Sequence, residues 1–261
     1  MDASLWVAKT GLDAQQKRMS VISNNLANVN TTGFKRDRAV FEDLLYQTMR
    51  QPGAQTGADT QAPTGLVLGT GTRVGATEKN HAQGNMIQTD NALDLAIDGS
   101  GFLQILQGDG TLGYTRDGSL KLDNTGRLVN SNGQLLQPEI TIPANSRSIS
   151  IGKDGTVSVQ PFDQATSVIV GNIQTANFIN PAGLQPIGGN LYKETAASGE
   201  PQVQAPNAGG AGSLVQGSLE ASNVNVVEAM VNMIETQRAY EVNSKAISAA
   251  DGMLRFINNN L

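Results

Sequence analysis

Few residues in this sequence have the types and spacing that catalysis or metal binding requires. His81 is the only histidine and there is no cysteine, so thiolate chemistry, disulfides and multi-histidine metal sites are excluded. Four aspartates occur in turn-forming sequences without the spacing of a calcium-binding loop: Asp109, Asp117, Asp123 and Asp154. We expect their carboxylates to accept hydrogen bonds within tight turns.

The glycine-rich motifs of nucleotide-binding proteins are missing as well. Gly69-Thr70-Gly71 lacks the third glycine and the following helical pattern of a dinucleotide-binding turn. His81 belongs to no metal-binding or catalytic motif, which favours a solvated or lightly packed side chain. The sequence therefore predicts that the protein is not an enzyme and that it has no catalytic residue, no metal and no cofactor.

Charge and hydropathy exclude two further classes of partner. The formal net charge is −5, so the chain lacks the excess of basic residues that nucleic-acid binding needs. No stretch approaches the roughly 18 consecutive apolar residues of a membrane span, which predicts no membrane insertion. The first segment carries Asp2 and no continuous apolar run, so we do not expect a cleavable signal peptide.

The first segment has the period of an amphipathic helix. Residues Leu5, Ala8, Leu12, Gln15, Met19, Ile22, Leu26 and Val29 follow one another at alternating steps of 3 and 4. Thr31, Thr32 and Gly33 then predict the end of the helix. A second amphipathic piece with Val40, Phe41, Leu44 and Leu45 follows, and we assign residues 1–46 to the N-terminal helical part of an inner domain.

A second helix is predicted at the other end of the chain, after a capping box at Asn225 and Glu228. Its main stripe is Val226, Met230, Met233, Gln237, Tyr240, Ser244, Ile247, Asp251 and Leu254, again at steps of 4 and 3. Further apolar positions flank this stripe: Val227, Val231 and Ile234 in the first half, and Val242, Ala246, Ala249, Met253 and Ile257 in the second. Residues 216–261 are therefore assigned to the C-terminal helix of the inner domain.

The segment between the helices reads as mainly antiparallel β structure. Short apolar runs alternate with Asp-Gly turns at 98–99, 109–110, 117–118 and 154–155. We assign residues 76–215 to a β-rich outer domain and 47–75 to an extended arm, because 51–72 is almost free of large apolar residues. Residues 196–212 have the composition of a linker. The predicted fold class is α+β, with paired terminal helices around an inserted antiparallel β domain.

The two helices leave two interpretations open. They could form only an intramolecular pair, favoured by a net positive first helix and a net negative second one. However, apolar residues surround most of the C-terminal helix, and one partner helix covers only one stripe of it. The uncovered stripes favour further copies of the chain, packed into an open helical polymer. A cell-wall-binding β protein is an alternative that the few aromatic residues support poorly. A phage-tail-like or adhesin fibre is another, although it would favour a β-rich stalk or strict trimer heptads over helices at the two ends of the chain.

Two segments resemble the signatures of the bacterial flagellar rod and hook axial proteins. They are Asn24-Asn25-Leu26-Ala27-Asn28-Val29-Asn30-Thr31-Thr32-Gly33-Phe34-Lys35 and the run from Ser222-Asn223-Val224-Asn225 through Gln237-Arg238-Ala239-Tyr240 to Ala246. Residues 46–71, the turn at 114–119 and the length of the chain resemble the distal-rod members of this family. Hook and proximal-rod axial proteins are the alternatives within it.

The resemblance implies a structural subunit that polymerises into a straight tube in the basal body. Such a tube spans the periplasm, transmits torque from motor to hook, and encloses the channel of type III export. The implied partners are other copies of the chain, the proximal rod, the hook or hook-rod junction protein, the P and L rings, and the rod cap during assembly.

Three groups of site residues follow from these patterns and from the resemblance. Self-assembly is assigned to Leu5, Leu12, Met19, Ile22, Leu26, Val226, Met230, Met233, Tyr240, Ile247 and Leu254. The family signature comprises Asn25, Asn28, Thr32, Gly33, Phe34, Lys35, Gln237, Arg238 and Tyr240. The resemblance implies that the arm keeps the rod straight through Gln51, Pro52, Gly53, Gln55, Pro63 and Gly65.

Overall fold

The computed structural model describes residues 2–53, 63–162 and 166–259, with side chains from 4 to 256 within these ranges. The chain divides into two compact units. The first, the helical unit, comprises residues 1–27, 37–79 and 225–261. The second, the β unit, comprises residues 28–36 and 80–224. These boundaries differ from the predicted segments 1–46, 47–75, 76–215 and 216–261, because residues 37–79 group with the helices and 28–36 with the β unit.

The helical unit contains both helices and four strands. Its elements are α1 Asp2–Ala27, β1 Asp37–Asp43, β2 Tyr46–Arg50, β3 Leu66–Gly69, β4 Thr72–Lys79 and α2 Val226–Asn259. Asn225 caps α2, because its side-chain Oδ1 accepts hydrogen bonds from the backbone N–H groups of Val227 at 3.0 Å and Glu228 at 3.2 Å. The two long terminal helices and the cap at Asn225 were predicted correctly.

Residues 37–50 are extended, so the predicted helical character of this segment is wrong. β1 pairs antiparallel with β4, and β2 pairs antiparallel with β3, so that the chain forms a two-stranded ribbon. Val40 and Phe41 favour a strand by their branched and aromatic side chains. Cross-strand ion pairs add to this preference: Arg38 with Glu78, Arg73 with Glu42 and Lys79 with Asp37, each at 2.9 Å.

The β unit is built from sixteen described strands and one short 3-10 helix. They are β5 Met86–Gln88, β6 Leu95–Asp98, β7 Phe102–Leu106, β8 Leu112–Thr115, β9 Lys121–Leu122, β10 Leu128–Val129, β11 Leu135–Gln137, β12 Ser146–Ile151, β13 Thr156–Pro161, β14 Val168–Asn172, β15 Thr175–Asn177, the 3-10 turn Pro181–Gly183, β16 Gln185–Gly188, β17 Leu191–Lys193, β18 Gln202–Gln204, β19 Ser213–Gln216 and β20 Ser218–Glu220. Every pairing between described strands is antiparallel. The predicted α+β class is confirmed.

The core of the β unit forms where the short apolar runs meet. β7 is almost completely buried and lies between β8 and β11 in a nine-stranded sheet. An aliphatic cluster around Leu103, Ile105 and Val157 fills one part of the core, and an aromatic cluster around Phe102 and Tyr114 fills another. The predicted linker at 196–212 is wrong in part, because β18 within it pairs with β15 and is held in the sheet.

Candidate assembly surfaces

The face on which α1 and α2 pack is built from small and polar side chains. A Cβ atom at Gly11 of α1 would lie 3.2 Å from the Asn243 amide of α2, which shows how closely the helices approach. Arg18 donates a hydrogen bond of 3.3 Å to Asn232, and Thr236 is fully buried. The helices run antiparallel, since Gly11 lies beside Asn243 and Arg18 lies beside Asn232.

The five apolar residues predicted to form a stripe on α1 all lie at least partly away from solvent. Ile22 is buried, and Leu5, Leu12, Met19 and Leu26 are partly buried. Trp6, one position along from this stripe, is instead 53% exposed. The predicted stripe therefore coincides with the inward side of α1.

The six residues predicted on α2 divide between two faces of the helix. Met233, Ile247 and Leu254 are partly buried, whereas Val226, Met230 and Tyr240 are exposed. The sequence pattern predicted the inward face of α2 from its apolar residues. The structure also turns small and amide side chains such as Thr236 and Asn243 inward, and the hydropathy of these residues does not indicate their burial.

The large apolar side chains of α2 lie mostly on the opposite side of the helix. Val227, Val242, Met253 and Phe256 are 71%, 65%, 62% and 72% exposed. Isolated soluble proteins rarely expose so many large apolar groups in one row. No residue of the helical unit that the structure describes covers this row.

Two residues of the N-terminal signature organise the end of α1. The amide of Asn25 is buried and forms two hydrogen bonds of 2.8 Å with the backbone of Asp37, one donated and one accepted. Asn28 accepts a hydrogen bond of 3.2 Å from the Thr31 hydroxyl. Asn25 thus fixes the start of β1 within the helical unit rather than leaving its amide free for another copy.

Gly33 occupies a position in the β unit where only glycine fits. Its φ is +67°, and a Cβ atom would lie 2.7 Å from the backbone of Arg116 and of Asp117. Its N–H donates a 2.8 Å hydrogen bond to the carbonyl of Glu220. The carbonyl of the preceding Thr32 accepts a hydrogen bond from Asn190. The positive φ predicted for Gly33 is confirmed.

Lys35 belongs to a buried ion cluster that the sequence patterns did not reveal. Its ammonium contacts Oε1 of Glu220 at 2.5 Å and the carbonyl of Ala82 at 2.8 Å, and both charged side chains are completely buried. Arg116 reaches the other oxygen of Glu220 at 3.3 Å and the carbonyl of Gly99 at 2.7 Å. Burial lowers the pKa of both Lys35 and Arg116, although the charge of Glu220 opposes this shift.

The ends of the two signatures meet around this cluster. The side chain of Asn223 accepts a 2.8 Å hydrogen bond from the N–H of Arg36 and donates bonds to the carbonyls of Asn80 and Ala82. The carbonyl of the partly buried Phe34 accepts a bond from the N–H of Asn223. The structure therefore brings 32–36 and 220–223 together at one place in the β unit. The other signature residues Gln237, Arg238 and Tyr240 lie exposed on α2.

The described part of the predicted arm lies at the exposed tip of the ribbon. Gln51, Pro52, Gly53 and Pro63 are exposed, and a Cβ atom at Gly65 would lie 2.7 Å from the Pro52 ring. Gln55 lies outside the described residues. The strands behind the tip expose apolar side chains as well, namely Leu45, Tyr46, Met49, Leu66, Val67 and Leu68.

The aspartates and the histidine with potential for chemistry have structural contacts instead. Asp109, Asp123 and Asp154 each accept hydrogen bonds from the N–H and hydroxyl of the threonine two positions on, as expected for turn aspartates. Asp117 does the same for Ser119. His81 packs edge-on against two rings, those of Phe102 and Tyr192. Within residues 2–53, 63–162 and 166–259, no three acidic or histidine side chains converge as metal ligands.

Comparison with known families covers both helices and the β unit. A family described as flagella basal body rod protein matches residues 5–35, and one described as flagellar hook protein FlgE/F/G D1 domain matches 96–159. A third, described as flagellar basal body rod FlgEFG protein C-terminal, matches 215–260. The three matches include the converging signature ends and the exposed face of α2.

Similarity extends along the whole chain to individual proteins named flagellar basal-body rod protein FlgG. The one from Buchnera aphidicola of Schizaphis graminum is 55% identical over 255 residues, or 98% of each chain. That of Borreliella burgdorferi is 48% identical over 261 residues, or 99% of this chain and 98% of the relative. The protein from Bacillus subtilis is 39% identical over 257 residues, or 97% of this chain and 96% of the relative. The chain belongs to the FlgG family of flagellar basal-body rod proteins.

Membership of the FlgG family confirms the resemblance to the rod and hook axial proteins. It also makes the chain a structural component of the flagellar basal body. Neither α1 nor α2, over its described residues, is apolar enough for its length to cross a membrane.

Proposed function

We infer that the chain is a subunit of the distal rod, and that its copies assemble into a straight helical tube. The tube transmits torque from the motor to the hook and encloses the export channel. The observation that carries this proposal is the exposed apolar face of α2, with Val227, Val242 and Phe256 each more than 60% exposed. Exposure of such an apolar face to water is unfavourable in free energy, and packing against other copies removes the face from water.

Several contacts of the β unit support a mechanical role. Lys35, Glu220 and Arg116 form a buried network, and Gly33 is enclosed by the backbones of Glu220, Arg116 and Asp117. Well-packed and fully hydrogen-bonded networks of this kind hold connecting segments in one arrangement. A subunit that carries torque needs resistance to deformation in the segments by which the chain enters and leaves a domain.

The partners of the tube follow from its place between motor and hook. We propose contacts with proximal rod proteins at one end and with the hook or hook-rod junction protein at the other. The P and L rings surround it, and a rod cap covers its growing end. We assign the protein no catalytic activity.

A polymerisation assay on the full chain tests the proposed function. We expect Val231→Asp to prevent tube formation, because Val231 is 50% exposed on the apolar face of α2. Val203→Asp provides a matched control, since Val203 is 46% exposed on β18 of the β unit. Circular dichroism of dilute protein reports whether each variant folds, and electron microscopy with sedimentation reports tubes. Tubes of normal length from Val231→Asp would contradict the proposal.

We further propose that the arm, with Gln51, Pro52, Gly53, Gln55, Pro63 and Gly65, keeps the tube straight. The exposed apolar side chains of the ribbon behind it support this role, because they offer surface for packing between neighbouring copies. Filling the gaps between copies prevents the sliding that curvature requires. Deleting residues 54–65 should give a polymer that assembles but curves in electron micrographs. A straight polymer from this deletion would contradict the role of the arm.

A further inference from the structure

The outer side of α1 carries one large aromatic side chain, that of Trp6. Gly11 and Arg18 mark the side of α1 that contacts α2. By helical geometry, Trp6 lies about 120 to 140° around the helix from these two positions. Its side chain is 53% exposed, so the described part of the helical unit leaves the ring open to water.

A cation accompanies the exposed indole of Trp6. The ammonium of Lys9, one helical turn further along α1, lies 5.3 Å from the centre of the ring. Lys9 has no carboxylate partner among the residues that the structure describes, and Asp13, four residues on, pairs instead with Lys17 at 3.1 Å. The start of α1 therefore presents an apolar ring with a positive charge beside it.

The first half of α2, residues 226–241, has a complementary outer face. Its exposed apolar side chains are Val227, Val231 and Ile234, which are 71%, 50% and 48% exposed and which we call the receiving face. The charged residues of this half are three glutamates and one arginine, a net charge of −2: Glu228, Glu235, Arg238 and Glu241.

The second half of α2, residues 242–259, is apolar on the same side but differs in charge. It contains Lys245, Asp251 and Arg255, a net charge of +1. An aromatic side chain is stabilised on either half by the apolar surface it buries, whereas the cation beside it is attracted to the first half and repelled by the second. Charge complementarity therefore favours the receiving face as the partner of Trp6 and Lys9.

We propose that Trp6 of one copy docks on the receiving face of a second copy, with Lys9 next to the acidic residues of that helix. This inference rests on the proposed self-assembly, and it names the two surfaces that meet. The surfaces are unlike, so each copy supplies one aromatic anchor and one receiving face. The contact therefore continues from copy to copy, as an open polymer with unlike ends requires, instead of closing a dimer.

The position of the receiving face along α2 also sets an axial step between copies. Gly11 lies beside Asn243 and Arg18 beside Asn232 in the antiparallel pair, so Trp6 lies level with about residues 244 to 248 of its own α2. Docking at 227–234 places a second copy with a parallel axis about 20 to 26 Å further along the helix. Each copy is then displaced along the axis relative to the copy before it, as in a helical tube.

Fluorescence reports the proposed contact directly, because Trp6 is the only tryptophan of the chain. In wild-type tubes we expect its emission at shorter wavelength, and its quenching by iodide at least about threefold weaker than in dilute protein, since anchor residues are desolvated. Trp6→Ala should raise the critical concentration for tube formation at least about tenfold. Phe162→Ala is the matched control, because Phe162 is 67% exposed in the β unit, and it should change this concentration by less than about twofold.

Cross-linking of full-length chains identifies the partner surface, because the sequence contains no cysteine. Val7→Cys and Val231→Cys, mixed before assembly and treated with a short bismaleimide, should give a cross-linked dimer, since Val7 adjoins Trp6 and Val231 is at the centre of the receiving face. Met253→Cys is the matched control, because Met253 is 62% exposed about 33 Å further along α2. Its mixture with Val7→Cys should give no cross-link.

The outcomes separate this inference from the proposed function. Circular dichroism of dilute protein first establishes that each variant is folded. Tubes in which iodide quenches Trp6 as strongly as in dilute protein would overturn the inference and leave the proposed function standing. Normal assembly of Trp6→Ala would do the same, as would cross-linking of Val7→Cys to Met253→Cys at least as strong as to Val231→Cys. A wild-type chain that forms no tubes would overturn both.

Discussion

At the scale of single residues, Gly33 offers a test of how tightly the β unit holds its entering segment. We expect Gly33→Ala to lower the free energy of unfolding of the β unit by about 3 kcal/mol or more, since it combines a positive φ with a steric clash. Gly133→Ala is the control, because Gly133 has a φ of +78° but a Cβ atom added there would meet no other atom within 4 Å. We expect this control to cost about 1 kcal/mol. Urea unfolding of dilute protein measures both, and equal losses would contradict the packing described around Gly33.

The turn aspartates make the stability of the β unit depend on pH. The hydrogen bonds from Thr156 hold the pKa of Asp154 below its ordinary value of 3.8, and those from Thr111 do the same for Asp109. A carboxyl whose pKa is lower in the folded chain stabilises it fully above the unfolded-state pKa, and this stabilisation is lost as the pH falls through the folded-state pKa. Melting temperatures should therefore decrease as the pH falls below about 4. Asp154→Asn should make this decrease shallower, and an unchanged slope would contradict the assignment.

The limits of sequence reasoning are clearest at this scale. The positive φ of Gly33 and the turn role of Asp154 could be predicted, because both depend on neighbours within a few residues. The contact between Lys35 and Glu220 joins residues 185 positions apart, and no local pattern encodes it. From the sequence, Arg116 is recognisable only as part of a turn motif. Its guanidinium nevertheless lies within the same buried cluster as Lys35 and Glu220.

At the scale of elements, the two faces of α2 differ in a way that one type of substitution can test. Ala229 is buried in the helical unit, whereas Ala246 is exposed on the same helix. Ala229→Leu should lower the stability of the dilute subunit by about 1 to 3 kcal/mol through overpacking. Ala246→Leu should change it by less than about 0.5 kcal/mol, because its side chain meets solvent. Chemical unfolding followed by the helical circular dichroism signal measures both, and equal effects would show that the faces are assigned wrongly.

The ribbon shows why elements are harder to predict than turns. Val40, Phe41, Leu44 and Leu45 have a spacing that fits a short amphipathic helix as well as a strand. The deciding interactions are with β4, which follows much later in the chain, where Glu78 and Arg73 pair with residues of β1. The long helices α1 and α2 were predictable because their periodicity is repeated over many turns.

At the scale of the whole molecule, the two units should unfold separately in dilute solution. Among the described side chains, the buried apolar residues of the helical unit are Ala14, Ile22 and Ala229, whereas the β unit buries two large clusters. The helical circular dichroism signal should therefore be lost at least about 10 °C below the near-ultraviolet signal of the buried Tyr114 and Tyr192. In assembled tubes the two transitions should approach each other. A single coincident transition in the dilute subunit would contradict this view.

The exposed apolar face of α2 has a consequence for how a cell handles the protein before assembly. Every folded copy in solution exposes this same apolar face, so a high concentration of folded copies would favour association away from the basal body. If the proposed assembly is right, we expect the cellular concentration of folded copies to stay low, or α2 to stay unfolded, until a copy is assembled.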